Sequence, residues 1–429
     1  MLRLPGMHAE QPVTDPHRVT AVNLVTATHL SRVPLQRIGF WMARSPDWFA
    51  RIFDEEGLSV QFKTFNFLHT ARFALLGRFP RVTRRQPRES RWGPRWIVYI
   101  GNYDGAWRPY FGTFMEAMSE GVYDIWGQSI GYPGFPAPNT ANELQDWLDT
   151  RLSPSQHYYA AYPWASANDV RSAVRVRREV LSAALELKEA YAAGQVTNVT
   201  DIGPTVDDLA RRLRQCLGPI EPPPGWRPRR DGLEILPNGG VCGYAAVFPV
   251  RPGEEDALRR AIEALHPGDA SPFHRVQGTH FARLALLARK DIGRYQGKRK
   301  PVPPRNSYLL FAADFDATTV ERSSGEQFVR AVYKAMPETV RSIWSHCYGF
   351  ANVNDFGATF EKVAKQCRRR FLVEFIDCPD QSLDSVLDAL DFHRRFVDLV
   401  RRRNEGSRIN ACHLLAFLPC GRTVGVSAK

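Results

Sequence analysis

The feature of this sequence that most constrains its fold is an internal repeat. Three stretches recur in the same order along the 429 residues, 211, 212 and 218 positions after their first occurrence. The matched pairs are residues 69–76 with 280–287, 96–105 with 308–317, and 125–132 with 343–350. Three matches in one order and at nearly one spacing indicate two similar structural units in tandem. The sequence therefore predicts a duplication.

The second copy predicts a regular alternation of strands and helices. Apolar and β-branched runs alternate with stretches of helical spacing, and Pro337 follows the second helix. The predicted elements are a strand at 244–250, a helix at 254–265, strands at 280–287 and 307–313, a helix at 326–336 and a strand at 340–348. This order is that of the ferredoxin-like fold. A further strand at 371–376 and a helix at 383–400 follow.

The first copy predicts a similar unit with additional helices at its end. Its first strand is expected at 20–27, and a long helix at 168–193, with Asn168 as N-cap and Gly194 just after its last residue. Another helix is expected at 206–217. The proline-rich stretch that follows is unsuited to regular structure. We therefore predict a first unit at 1–217, a linker at 218–230 and a second unit at 231–429.

The apolar character of both strand faces predicts how the two units pack. Residues two apart in a strand share a face, and neither face of the strand at 69–76 is polar along its length. Helices can cover only one face of each sheet, so the other needs a partner. The predicted fold class is α+β, with two tandem ferredoxin-like units packed sheet to sheet as an intramolecular dimeric α+β barrel.

Composition limits the classes of function. The formal net charge is +12 and the isoelectric point is about 9.5, which suits an anionic partner, but zinc-finger, helix-turn-helix and RRM signatures are absent, so nucleic-acid binding is not predicted. There is no apolar run of membrane-spanning length and no secretory signal in residues 1–16, so we expect a cytoplasmic protein. The oligomeric state stays open, a homo-oligomer included. Seven cysteines without C-x-x-C pairs are expected to be reduced thiols: Cys216, Cys242, Cys347, Cys367, Cys378, Cys412 and Cys420.

At this point the chain resembles the dimeric α+β barrel superfamily. The segment Gly101-Asn102-Tyr103-Asp104-Gly105 is also similar to the G-x-x-D-G motif of dye-decolourising peroxidases, which are haem enzymes with the same duplicated scaffold. In that family the motif aspartate lies on the distal side of the haem beside an arginine, and a histidine ligates the iron from the other side. The resemblance therefore implies haem as cofactor and Asp104 as distal acid.

The remaining site residues are chosen by residue type and position. His346 is the preferred axial ligand, on a predicted strand face shared with Trp344 and Tyr348, which would line a flat macrocycle. Either Arg72 or Arg283 is expected to stabilise charge on the peroxide oxygen. The other ligand candidates are His69, His157, His280, His393 and His413.

Other interpretations are compatible with the same residues. Asp104 is equally suited to capping the helix that follows it, and His346 to a buried hydrogen bond. Structural ion pairs joining Arg72 to Asp104 and Arg283 to Asp316 are a further expectation. At the level of function, the alternatives to a peroxidase-like oxidoreductase acting on a small or aromatic substrate are a cofactor-free barrel enzyme, a small-ligand binding protein, or a non-catalytic scaffold whose basic loops meet an acidic partner.

Overall fold

A computed structural model of the chain describes residues 19–28, 30–35, 65–76, 79–229, 239–292, 302–319 and 323–418. Its contacts divide the chain into two units, the first formed by 1–167 and 231–383 and the second by 168–230 and 384–429. The internal repeat in the sequence instead divides the chain into two consecutive copies at the linker 218–230, and that division stays a prediction. Residues 1–16 and Cys420 lie outside the described residues.

The first unit contains two four-stranded antiparallel sheets. The strands of the first sheet are β1 (Val19–Thr28), β2 (Leu68–Leu76), β3 (Arg95–Asp104) and β8 (Val373–Ile376), in the order β1-β3-β2-β8. Those of the second are β4 (His157–Ala160), β5 (Gly240–Pro249), β6 (Thr279–Leu287) and β7 (Tyr308–Ala317), in the order β4-β6-β7-β5. Each sheet therefore takes its short edge strand from the other half of the chain. The described strands form two separate sheets and no closed barrel.

The two sheets share one apolar core. Alternate residues of β3, such as Trp96 and Val98, lie in a buried cluster together with Val247 of β5 and Leu310 of β7. The intervening residues of β3, such as Ile97, face the helices instead. This two-residue period follows from strand geometry and explains why both strand faces are apolar.

Helices cover the outer face of each sheet. The first sheet packs against α1 (Trp107–Ala117), α2 (Ser119–Trp126) and α3 (Ala141–Asp149). The second packs against α6 (Glu255–Glu263), α8 (Ser324–Ala335), α9 (Pro337–Trp344) and α10 (Phe356–Cys367), while the single turn α7 (Arg289–Ile292) follows β6. Trp126 and Trp344, which the repeat aligns, are both fully buried in these outer cores.

One predicted element is wrong. The strand expected at 340–348 is helix α9 followed by a turn. Its buried residues Val340, Ile343 and Trp344 follow the i, i+3, i+4 spacing of a helix face, and Pro337, which ends the preceding helix, occupies the first turn of this one. The turn keeps one strand-like contact, an isolated bridge between Val250 and Cys347.

The second unit is helical in its described residues. Its helices are α4 (Ala167–Ala192), α5 (Gly203–Arg212), α11 (Leu383–Asn404) and α12 (Ala411–Leu415), with Ala167 and Leu383 themselves counted in the first unit. They bury an apolar cluster that includes Val180, Val206 and Phe396. Gly194 adopts a φ of +72° after α4, as expected of a glycine at a helix end. Residues 217–229 contain no helix or strand.

Two further findings concern the helices and the cysteines of the described residues. None of the helices in the described ranges is both long and apolar enough to cross a membrane. The six described cysteines are free thiols, and Cys347 and Cys367 are buried among apolar side chains, where burial raises the pKa of each thiol.

Candidate functional site

Asp104, the predicted distal acid, is held by two partners in the first unit. Its Oδ1 lies 2.9 Å from Nε2 of His69, and its Oδ2 accepts the backbone N–H of Ala167 at 2.8 Å. The side chains of His69 and Asp104 are 5% and 4% exposed. Both carboxylate oxygens are thus hydrogen-bonded in a buried environment, which indicates a structural role for Asp104.

Asp316 repeats this arrangement in the second copy. Its Oδ1 lies 2.8 Å from Nε2 of His280, and its Oδ2 accepts the backbone N–H of Leu383 at 2.8 Å. The other ring nitrogen of His280, Nδ1, lies 3.1 Å from the Tyr162 hydroxyl. The two buried His–Asp pairs therefore have the same partners in type and in geometry.

Irregularities in β2 and β6 explain why histidine, and not arginine, meets each aspartate. The register against the neighbouring strand shifts between Leu68 and Thr70 and again between Thr279 and Phe281, so each histidine lies at a bulge. A bulge re-aims the side chain it carries. The His69 ring consequently lies 5.4 Å from the ring of Phe281 on the facing sheet.

The expected ion pairs of Arg72 with Asp104 and of Arg283 with Asp316 are therefore wrong. Arg72 donates from Nη1 to Asp314 of the second sheet and from Nε to Glu374 of β8, the latter at 2.7 Å. Burial alone would lower the pKa of Arg72, but the charges and hydrogen bonds of Asp314 and Glu374 outweigh it and the pKa is raised.

Arg283 lies in the same polar layer but has no carboxylate in hydrogen-bond contact among the described residues. Its guanidinium donates to the carbonyl oxygens of Val22 and Gly101, at 3.0 and 2.9 Å, and to the side-chain oxygen of Asn102. Burial is the main cause that lowers its pKa. Tyr158 adds a ring 5.5 Å from this guanidinium and a hydroxyl that donates to Asn102 at 3.0 Å.

His346, the predicted axial ligand, lies in the turn after α9. Its Nδ1 is 2.8 Å from a carboxylate oxygen of Glu254, and the hydrogen bond between the two side chains lowers the pKa of Glu254. The His346 side chain is 20% exposed. A histidine oriented by a carboxylate through Nδ1 offers Nε2 to a metal, so the chemistry of this residue fits an axial ligand. The expected aromatic face is not formed, because Trp344 packs against Phe248 and Phe360 inside the outer core. Tyr348 is half-buried, and its backbone N–H donates to the carbonyl of Pro249.

The predicted haem residues are not brought together. His346 lies beyond Pro249, which pairs with Tyr308 at the beginning of β7, whereas Asp316 lies eight residues later on that strand. Eight residues of extended chain span about 26 Å. Asp104 lies at the Asp316 end, so the proposed proximal and distal residues are at opposite ends of the second sheet. The residues do not fit one haem site, and no cluster of three or more metal-ligating side chains occurs in the described part of the chain.

The structure instead contains a groove of about 600 Å³ between α8 and α10. Tyr244 of β5 lines it, with its hydroxyl donating to the carbonyl of Ala364 at 3.4 Å, and so does Tyr333 of α8. Burial raises the pKa of Tyr244, so the phenol stays neutral. The remaining lining residues are Gly325, Glu326, Val329, Arg330, Asp355, Gly357, Ala358, Glu361, Lys362, Lys365 and Arg368.

Sequence reasoning missed the residues that complete these sites. Asn102 and Asp314 are aligned by the repeat and each precedes a predicted site aspartate by two positions, so the two-residue period of a strand could have placed them inside. Glu374 lies in the predicted strand at 371–376, but the pairing of that strand with β2 was not predicted. Tyr158 lies in the four-residue edge strand β4, which was not predicted from the sequence. The groove has no motif at all.

Comparison with known proteins adds no assignment. No protein-family model matches the chain, and no curated protein is significantly similar to it. The function must therefore be inferred from the geometry of the chain itself.

Proposed function

We propose that the protein binds a small molecule with a flat apolar part and an acidic group, and that its site is the groove between α8 and α10. A volume of about 600 Å³ lies within the range of small-molecule sites. The observation that carries the proposal is the meeting of two tyrosine rings and several basic side chains in that groove.

Two glycines shape the groove walls. A Cβ on Gly357 would lie 2.6 Å from the Tyr333 ring, and one on Gly325 would lie 2.8 Å from the guanidinium carbon of Arg368. Only glycine lets these side chains lie against the facing helix backbone. The walls are therefore close-fitting, and a flat ligand suits the space between them.

The balance of charge in the groove favours an acidic ligand. Its acids are already engaged: Glu326 pairs with Lys365 at 2.9 Å, Glu361 pairs with Arg330 at 2.8 Å, and Asp355 caps α10. Lys362 is exposed and forms no ion pair with any described residue. The guanidinium of Arg368 lies 5.9 Å from the centre of the Tyr244 ring. Lys362 would then receive the acidic group.

Titration with 8-anilinonaphthalene-1-sulfonate, a flat aromatic anion, tests the proposal. We expect one saturable site, at least tenfold weaker in Tyr333→Ala and in Lys362→Glu. Lys334→Glu, on the same helix α8 but outside the groove, is the matched control and should bind as the parent does. Near-ultraviolet circular dichroism shows whether each variant is folded. Equal binding by folded parent, Tyr333→Ala and Lys362→Glu proteins would end the proposal.

We also propose that the two copies are tandem ferredoxin-like units and that the second of them carries the groove. The support for this arrangement is the repetition of register: β2 and β6 carry bulges at aligned positions, and both copies bury a His–Asp pair. In each copy the place of the fourth strand is taken by isolated bridges, such as that between Leu24 and Leu152 and that between Ala246 and Arg368.

A peroxidase-like oxidoreductase that uses haem is the second proposal, which the G-x-x-D-G resemblance suggested, now with His346 as axial ligand and without Asp104 on the distal side of the same haem. The observation that favours it is the contact between His346 and Glu254, which leaves Nε2 of the histidine without a protein partner in the described residues. Haemin titration tests it: a Soret band that His346→Ala removes would support it. Failure of the protein to retain haemin after gel filtration, so that no Soret absorbance elutes with it, would refute the haem proposal without bearing on the groove.

A further inference from the structure

Arginine is concentrated in one exposed segment of the first unit. Five of the eleven residues from 81 to 91 are arginines, all of them exposed: Arg81, Arg84, Arg85, Arg88 and Arg91. None of the five forms an ion pair with any residue in the described ranges. Exposed arginines elsewhere, such as Arg108 and Arg330, do pair with carboxylates. The segment therefore presents positive charge that forms no ion pair within the described part of the chain.

The only acid of this segment does not balance the arginines. Glu89 accepts the backbone N–H of Arg305 at 2.9 Å and that of Asn306 at 3.3 Å, and the hydroxyl of Tyr308 at 2.6 Å. These bonds tie the segment to residues 302–306, ahead of β7. They also place Arg305, which is exposed, next to Glu89 in this segment.

Apolar side chains project from the same surface. Trp92 is 78% exposed and Val302 is 64% exposed, and Pro303 beside it is exposed as well. The guanidinium of Arg91 lies 5.5 Å from the centre of the Trp92 ring. Exposed apolar groups in the same two segments as unpaired basic groups indicate a surface that meets both a hydrophobic layer and negative charge.

We propose that residues 81–92 and 302–305 form a docking surface for an anionic phospholipid membrane. Arginine donates paired hydrogen bonds to phosphate, and tryptophan partitions to the level of lipid headgroups. The aliphatic Val302 and Pro303 favour lipid over single-stranded nucleic acid, because a nucleic-acid surface stacks bases on aromatic rings. Attraction by basic residues and shallow apolar insertion together give reversible attachment.

Co-sedimentation with vesicles tests this surface. The full chain should bind vesicles of phosphatidylcholine mixed with phosphatidylglycerol, bind phosphatidylcholine alone weakly, and lose affinity as salt is raised. Each basic residue at an anionic leaflet contributes about fivefold, so the triple variant of Arg84, Arg85 and Arg88 to Ser should bind about a hundredfold more weakly. Trp92→Ser should weaken binding without changing its salt dependence.

The control removes the same charge from another surface. Arg211→Ser, Arg212→Ser and Arg401→Ser together take three exposed, ion-paired arginines from the second unit and should leave vesicle binding unchanged. Equal losses in the two triple variants would show a net-charge effect and overturn the proposal. Failure of the parent protein to bind anionic vesicles would also overturn the proposal. A third contrary result would be a preference for a single-stranded oligonucleotide over the vesicles, with oligonucleotide binding abolished in the Arg84, Arg85 and Arg88 variant.

Discussion

Arg72 of the first sheet donates to Asp314 of the second. The repeat aligns these two residues with Arg283 and Asn102, and Arg283 of the second sheet donates to the amide oxygen of Asn102 of the first, without a carboxylate. The repeat thus places two buried guanidinium groups between the sheets and gives only one of them an ion pair. With Glu374 counted, two positive charges face two negative ones, one of which is 38% exposed. The layer is therefore neutral as a set, and each of its carboxylates matters.

The first prediction concerns Asp314→Asn. The substitution keeps the shape of the side chain but leaves Arg72 and Arg283 facing Glu374 alone, and it turns an amide toward a donor. Removing one partner of a buried ion pair costs about 3–5 kcal/mol, and we expect a loss of that size in the free energy of unfolding by urea. Asp146→Asn, which removes an exposed partner of Arg108, is the control and should change it by less than about 1 kcal/mol. A loss of less than about 1 kcal/mol for Asp314→Asn would contradict the buried ion pair between Arg72 and Asp314.

A second prediction tests the structural roles of Asp104 and Asp316. Asp104→Ala and Asp316→Ala each leave a buried histidine and a backbone N–H without an acceptor, and unsatisfied buried donors cost about 1–3 kcal/mol each. We therefore expect similar losses of about 2–6 kcal/mol in the free energy of unfolding for the two variants. Stability of Asp104→Ala equal to that of the parent would contradict the structural role of Asp104.

Much of the strand framework was accessible from the sequence. The strands at 20–27, 280–287 and 307–313 are present as β1, β6 and β7, because their apolar runs are long, and the repeat supports the last two with aligned strands in the first copy. The edge strands β4 and β8 have four residues each and take their pairing from the opposite half of the chain. Sequence pattern cannot show such an exchange, since it depends on packing between sheets.

The site was harder to predict, for local reasons. The alternation rule put His69 and Arg72 on opposite faces of a regular strand, but a bulge at His69 changes which side chain reaches Asp104. The same rule failed for His346, because its segment is helical and ends in a turn. Helical and strand spacing are hard to distinguish in a run of nine residues in which several are apolar.

The pH dependence of stability provides a third prediction. Burial lowers the pKa of His157 from 6.5 to about 4, and its Nε2 lies 2.9 Å from the Ser271 hydroxyl. Between those values the unfolded chain binds a proton that the folded chain does not, so stability rises with pH across this window and falls as pH is lowered. The lowered pKa of His393, also caused by burial, acts in the same direction.

The size of this effect follows from the shift. A His157 pKa of 6.5 in the unfolded chain and of about 4 in the folded chain corresponds to about 3 kcal/mol in the free energy of unfolding. This stability is fully present above pH 6.5 and is lost as the pH falls to 4. His157→Gln, which keeps a polar contact for Ser271 but does not titrate, should flatten the profile of unfolding free energy between pH 4.5 and 6.5. An unchanged slope in the variant would assign the pH dependence to other groups.

The last prediction tests the wall of the groove without altering a charge. In Gly357→Ala the new Cβ would lie 2.6 Å from the Tyr333 ring, so the ring must move into the groove or away from it. We expect the affinity for 8-anilinonaphthalene-1-sulfonate to fall at least fivefold, while the free energy of unfolding changes by less than about 1 kcal/mol because alanine favours the helix. Gly112→Ala, in α1, has open space around its Cβ and is the matched control: it should raise stability slightly and leave the affinity unchanged. If both variants bound the probe as the parent does, Tyr333 would not form a wall of the binding site.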